Sequence, residues 1–115
     1  MIIKNRSELV TTVLRKEALD IIEAGITRIL PSNIMRAAIS FDADSRILKI
    51  NDDSYDLSKG RLFVIGGGKA TGFMAETLEK IIGAPNITAG LVNCKTAGYE
   101  TVKIKINEAG HPIPD

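Results

Sequence analysis

Between Ser7 and Leu30 the apolar residues Val10, Leu14, Ile21, Ile22, Ile26, Ile29 and Leu30 recur roughly every three or four positions. That period predicts an amphipathic N-terminal helix, its stripe packed into a core, with Ser7 as cap and Glu8 in the first turn. Gly25 weakens the pattern without ending it, and Pro31 ends it. "SNIMRAAI" predicts a short second helix capped by Ser32. "RILKIND" alternates as a half-exposed strand, and "NDDSYDLSKG" reads as the polar loop that returns it.

The centre of the chain carries a different pattern. "RLFVIG" is a continuous apolar run, as in a strand covered on both faces. "KATGFMAETLEKIIG" places Phe73, Met74, Leu78, Ile81 and Ile82 on one helical stripe, with Gly83 as the stop. "ITAGLVN" is a second apolar strand, so a parallel βαβ unit is expected. In "ETVKIKI", Val102, Ile104 and Ile106 alternate with Thr101, Lys103 and Lys105, which predicts a strand with one wet face. The link from Cys94 to Glu100 is short for a parallel crossover, which favours an antiparallel or non-neighbouring last strand. The fold class is α/β: a Rossmann-like parallel or mixed sheet with a βαβ unit, preceded by an amphipathic helix.

Composition narrows the function classes. The 115 residues hold 15 basic and 14 acidic side chains, a formal charge of +1, so no bulk field recruits nucleic acid or an anionic membrane. Few aromatics and no tryptophan argue against a base-stacking surface. A single cysteine, Cys94, cannot form an internal disulfide, which fits a reducing compartment. No apolar run approaches the roughly 20 residues of a membrane span, and "MIIKNRSELV" is no signal peptide. The expectation is a cytoplasmic protein.

The candidate chemistry sits in "LFVIGGGKA". At the carboxyl end of a parallel strand, before a helix, backbone amides and the helix dipole favour anions, and glycines admit a ligand to the backbone. Gly66, Gly67 and Gly68 are candidates for a phosphate- or substrate-binding cradle, with Lys69 adding a full charge beside it. A tight turn with a solvated lysine is the alternative. The loop is no Walker A motif, since Ala70 follows Lys69 where Ser or Thr is needed. It fits the dinucleotide fingerprint loosely, and "LVNCK" offers Asn93 and Lys95 where an acidic residue would hold a ribose.

A second constellation is "NEAGHPIPD". Two prolines stiffen a segment in which His111 and Asp115 could line a site, although a His-Pro turn can equally just redirect the chain. One Cys and one His supply too few ligands for zinc. Asp42, Asp44, Asp52, Asp53 and Asp56 lack a calcium-loop glycine and read as turn formers, and Cys94 as a small core residue.

Taken together, "YDLSKGRLFVIGGGKATGFMAETLE", "ITAGLVNCK" and "VKIKINEAGHPIPD" resemble the N-terminal part of the glycerate 2-kinase family. These are the MOFRL-containing glycerate kinases, often labelled hydroxypyruvate reductases. The shared pattern is G-x-GKA, here Gly66 to Ala70, then Met74-Ala75, Gly90-Leu91-Val92 and Glu108 to Asp115. Gly67 stands where the family commonly has alanine. The resemblance implies phosphoryl transfer from ATP, with Mg2+, to the 2-hydroxyl of D-glycerate, with Lys69 as the catalytic lysine and His111 near the same cleft. It also implies that residues 1–115 are the N-terminal part of a longer chain. A missing C-terminal domain would be the partner, and the piece alone would be inactive. The other classes are an NAD(P)-dependent hydroxypyruvate reductase and a non-catalytic anion-binding domain.

Overall fold

The computed structural model describes residues 2–113. The first helical stretch divides in two: α1 (Arg6–Leu9) and α2 (Val13–Ile29). The break falls where Thr12 is extended, and its side chain accepts the Arg15 amide at 3.2 Å. Thr12, not Ser7, therefore caps the long helix. The guanidinium of Arg6 binds Asp20 and Glu23, which straps α1 along α2. The stripe expected in the core is largely bare. No residue of α2 is buried, and Ile21 keeps 73% of its surface. A helix buries its apolar face only where another element lies against it, and α2 meets little more than α3 (Pro31–Ala38).

Pro31 opens α3 as its first helical residue, where a missing N–H is harmless. Ser32 is thus inside the helix, and the expected Ser32 cap is replaced by Leu30 without a side-chain bond. Asn33 instead reaches back to donate to the Thr27 carbonyl at 2.6 Å.

β1 (Ile39–Asp42), β2 (Ile47–Ile50) and β3 (Asp53–Asp56) form an antiparallel sheet in that order. The segment read as a polar loop after β2 therefore contains a third strand. Its tight turn places Asn51 at φ 53°, with its amide donating to the Ala38 carbonyl at 2.7 Å. Short, wholly exposed β3 lacks the apolar alternation that betrays a strand in sequence. The aspartates behave as turn formers: Asp42 accepts the amides of Asp44 and Ser45, and Asp56 accepts that of Ser58. The Ser58 hydroxyl, which also donates to Asp56, adds to that amide, and the Asp44 amide leads at Asp42, so both carboxyls lie below the usual range.

The second sheet is all parallel, in the order β4 (Phe63–Gly67), β5 (Ala89–Cys94), β6 (Ile104–Glu108). Between β4 and β5 runs α4 (Thr71–Ile82), ended by Gly83 at φ 90° as its sequence predicts. Its core face matches the predicted stripe at Leu78, Ile81 and Ile82 and departs from it in the first turn. Ala75, Thr77, Glu79 and Ile82 are buried, Leu78 and Ile81 pack partly against them, and Phe73 and Met74 stay exposed. Leu48 and Leu57 from the hairpin sheet, Ala75 and Ile82 from α4, and Ile87, Val92 and Ile104 from the parallel sheet make one core.

β6 corrects the expected antiparallel or distant pairing: it lies beside β5, parallel, with Gly90 opposite Ile104. The connection, residues 95–103, is extended and passes over α4. A helix would normally satisfy the amides of such a crossover; here the Glu79 carboxylate does so. It accepts Val102 on one oxygen and Lys103 and Ile104 on the other, each at 2.7 Å. Glu76 accepts Glu100 at 3.1 Å, and Tyr99 lays its ring edge-on to Phe73.

The β4 run was expected to be covered on both faces, and only one is. Phe63 and Leu91 are half-exposed and Ile65 is 88% exposed on the side away from α4. The accessible surface, 8145 Å², exceeds the roughly 6,100 Å² of a compact chain of this mass. The excess is this bare sheet face and the flank of α2.

Burial alone would raise the Glu79 carboxyl, but the three amides together hold it below its ordinary value of 4.5. A carboxyl that binds its proton less readily when folded stabilises the fold fully above the unfolded value. That contribution is lost as pH falls through the lower folded-state value. Glu79→Ala, which leaves three amides unpaired, is expected to lower unfolding free energy by about 3 kcal/mol in urea melts. Glu79→Gln should flatten the fall in stability below pH 4.5 relative to the parent chain.

Candidate functional site

At the carboxyl edge of the parallel sheet the ends of β4, β5 and β6 surround a cleft of about 110 Å³. Gly68 and Lys69 line it from the β4 side, Asn93, Cys94 and Lys95 from β5, and Ala109, Gly110 and His111 from β6. Each group stands there for a local reason. Gly68 turns the chain from strand to helix at φ +136°, a conformation that strains any residue with a Cβ. Its amide donates to the Asn93 carbonyl at 3.1 Å, and its carbonyl accepts the Thr71 amide at 3.2 Å. The buried Cys94 thiol donates to the Lys69 carbonyl at 3.5 Å. The Ala109 amide donates to the Cys94 carbonyl at 2.9 Å, which draws the His111 segment across the end of β5.

Among the predicted residues the structure thus brings Gly68, Lys69 and His111 together. Gly66 and Gly67 do not join them: they are the last residues of β4 and line an apolar groove beside α3 and α4. A Cβ on Gly66 would press on the Thr71 methyl at 3.0 Å, whereas one on Gly67 would meet nothing within 4 Å. Cys94 is the buried core residue its sequence suggests, at 2% exposure. Pro114 and Asp115, the end of the second motif, lie outside the described residues.

The electrostatics of the cleft are one-sided. Its lining holds two lysines, a histidine and an asparagine, and no carboxylate. Lys69 and Lys95 are exposed, and among the described residues neither has an ion-pair partner. α4 begins beside Lys69 without a side-chain cap and with no acidic residue in its first turn, so its positive end is not offset from within the helix. Asn93 accepts the Asn107 side-chain amide at 2.9 Å, which leaves its own Nδ2 donors for a ligand. The arrangement suits an anion. Its volume admits a small charged group rather than a whole nucleotide, which needs several hundred Å³.

Asn93 and Lys95 are the lining residues given no role from sequence. Their signal was positional: they end the strand next to β4, and ligands of parallel sheets gather at those ends. Among the described residues no group of three or more His, Cys, Asp or Glu is placed to hold a metal ion, and no helix is long and apolar enough to cross a membrane.

Comparison with known proteins gives a consistent set of relatives. A family model described as a domain of unknown function, DUF4147, matches residues 17–115. A protein of Pyrococcus horikoshii named glycerate 2-kinase is 35% identical over 105 residues, which span 85% of this chain and 23% of that protein. Proteins named glycerate kinase from Bos taurus and Homo sapiens are 34% and 31% identical over 70 residues, 61% of this chain and 13% of each. The fold matches the crystal structure of the PH0495 protein from Pyrococcus horikoshii OT3 with a TM-score of 0.73. That match has 29% identity and covers 93% of this chain and 23% of that one.

The edge-on ring of Tyr99 occupies the space beside Gly72: an added Cβ would fall 2.1 Å from it. Gly72→Ala is therefore expected to expel the ring from the first turn of α4. The substitution should cost about 1–3 kcal/mol in urea melts, and Tyr99 ring proton shifts should move toward free tyrosine.

Proposed function

The chain belongs to the glycerate kinase family through its DUF4147 domain, and from that premise we propose that it forms the N-terminal portion of an ATP-dependent glycerate 2-kinase. The observation that carries this reading is the carboxylate-free cleft where Lys69 and His111 meet at the carboxyl edge of the sheet. The kinase names of the relatives favour this reading over a nicotinamide-dependent reductase.

Phosphoryl transfer needs positioning and charge stabilisation more than covalent chemistry from the protein. ATP would supply the phosphoryl group, which passes to the 2-hydroxyl of D-glycerate. Lys69 would meet the anionic oxygens at the cleft and stabilise charge as it develops there. Gly68 keeps side-chain bulk out of the approach. His111, exposed on the opposite lip, would hydrogen-bond a substrate oxygen. With no metal-ligand cluster among the described residues, the Mg2+ of this reading would be held by nucleotide phosphates and by groups elsewhere.

The cleft is small and open on its far side, and the chain spans 23% of the length of the Pyrococcus relative. We therefore propose that a further domain completes the site, and that residues 1–115 by themselves do not turn over. The reaction would take place in the cytoplasm.

Two measurements test this. The purified 115-residue chain, incubated with ATP, Mg2+ and D-glycerate, is expected to form no phosphoglycerate; turnover would refute the need for a further domain. In a longer polypeptide that carries this sequence and phosphorylates D-glycerate, Lys69→Met should lower kcat at least about a hundredfold. An unchanged kcat would remove Lys69 from the mechanism.

A further inference from the structure

The cleft lining includes a second lysine, Lys95, for which the reading above has no use. β4 and β5 run side by side in register, with Gly67 opposite Asn93. Lys69 lies two residues beyond Gly67, and Lys95 two residues beyond Asn93. Each lysine thus stands just beyond the carboxyl end of one of two adjacent parallel strands, whose axes are about 4.8 Å apart. Both line the same cleft, with His111 across from them and no carboxylate in the lining. Like charges on neighbouring strands repel, and nothing else in the lining offsets that repulsion. A ligand carrying one negative charge would neutralise one ammonium. A ligand carrying two would neutralise both.

We infer that Lys95 is the second cation of this site, and that the Lys69–Lys95 pair is set to bind a doubly charged phosphoryl group in preference to a carboxylate. The inference rests on the anion-binding reading of the cleft and adds its ligand class and a specificity-determining residue. The Asn93 carboxamide, steadied by Asn107 of β6, lines the same cleft and offers a neutral donor to the same group. Lys95 is exposed, and among the described residues its side chain makes no hydrogen bond or ion pair, so its removal leaves the core intact.

The test uses the 115-residue chain, labelled with nitrogen-15 and titrated separately with inorganic phosphate and with D-glycerate at low ionic strength. Phosphate is expected to shift the amides of Gly68, Lys95 and Gly110 and to bind more tightly than D-glycerate, with the difference shrinking as salt is added. Lys95→Ala and Lys95→Gln should each weaken phosphate about tenfold or more and change D-glycerate affinity little, and Lys95→Arg should restore phosphate binding. Wild-type phosphate affinity in both Lys95→Ala and Lys95→Gln, with loss in Lys69→Ala, would overturn the role of Lys95 and leave the anion cleft standing. Tighter binding of D-glycerate than of phosphate would overturn the ligand class. Shifts from neither ligand would overturn the inference and the cleft reading together.

Discussion

The carboxylate of Glu79 holds the connection on which the arrangement of the site depends. A parallel strand beside β5 needs a crossover, and a crossover without a helix leaves amides with no partner. Glu79 accepts three of them on two oxygens. Because those donors are backbone groups in a nearly buried place, the carboxylate stays ionised and the bonds are charge-assisted. The connection is thereby fixed over α4, β6 takes its register against β5, and the chain leaving β6 arrives at the carboxyl edge of the sheet. The position of His111 near Lys69 follows from a side chain on the far side of α4.

That edge concentrates positive potential by several small contributions with the same sign. The glycine turn removes side-chain bulk, the uncapped start of α4 leaves its dipole unopposed, and two lysines follow the ends of adjacent strands. The nearest tertiary bonds of the loop, from Gly68 to Asn93 and from Cys94 to Lys69, tie its backbone inward. The lysine side chains remain outside. A rigid backbone carrying mobile ammonium groups suits a site that meets charge developing on another molecule.

The remainder of the surface leaves apolar faces bare. A parallel sheet is ordinarily covered on both faces, yet Phe63, Ile65 and Leu91 face outward, and so do Ile21 and Ile22 of α2. The one core that does form is shared by both sheets through α4. The match to the Pyrococcus relative covers 23% of that protein's length.

Periodicity in the sequence located the βαβ unit, the Gly83 stop and the glycine–lysine turn, because each follows from short-range sterics and the burial of one helix face. Its motifs, the GKA turn and the HP-containing tail, carried the family resemblance that the relatives bear out. It misplaced the α2 stripe, the first-turn part of the buried face of α4 and the direction of β6. All three depend on what lies opposite: α2 has only α1 and α3 beside it among the described residues, Phe73 is held at the edge by Tyr99, and β6 follows a crossover secured by Glu79. A glutamate on a helix announces nothing of this kind, since its partners are backbone amides more than twenty positions away. Local pattern thus determined most of the elements and the strand-to-helix turn that carries Lys69, and tertiary contact decided which faces are buried and which strand ends share a cleft.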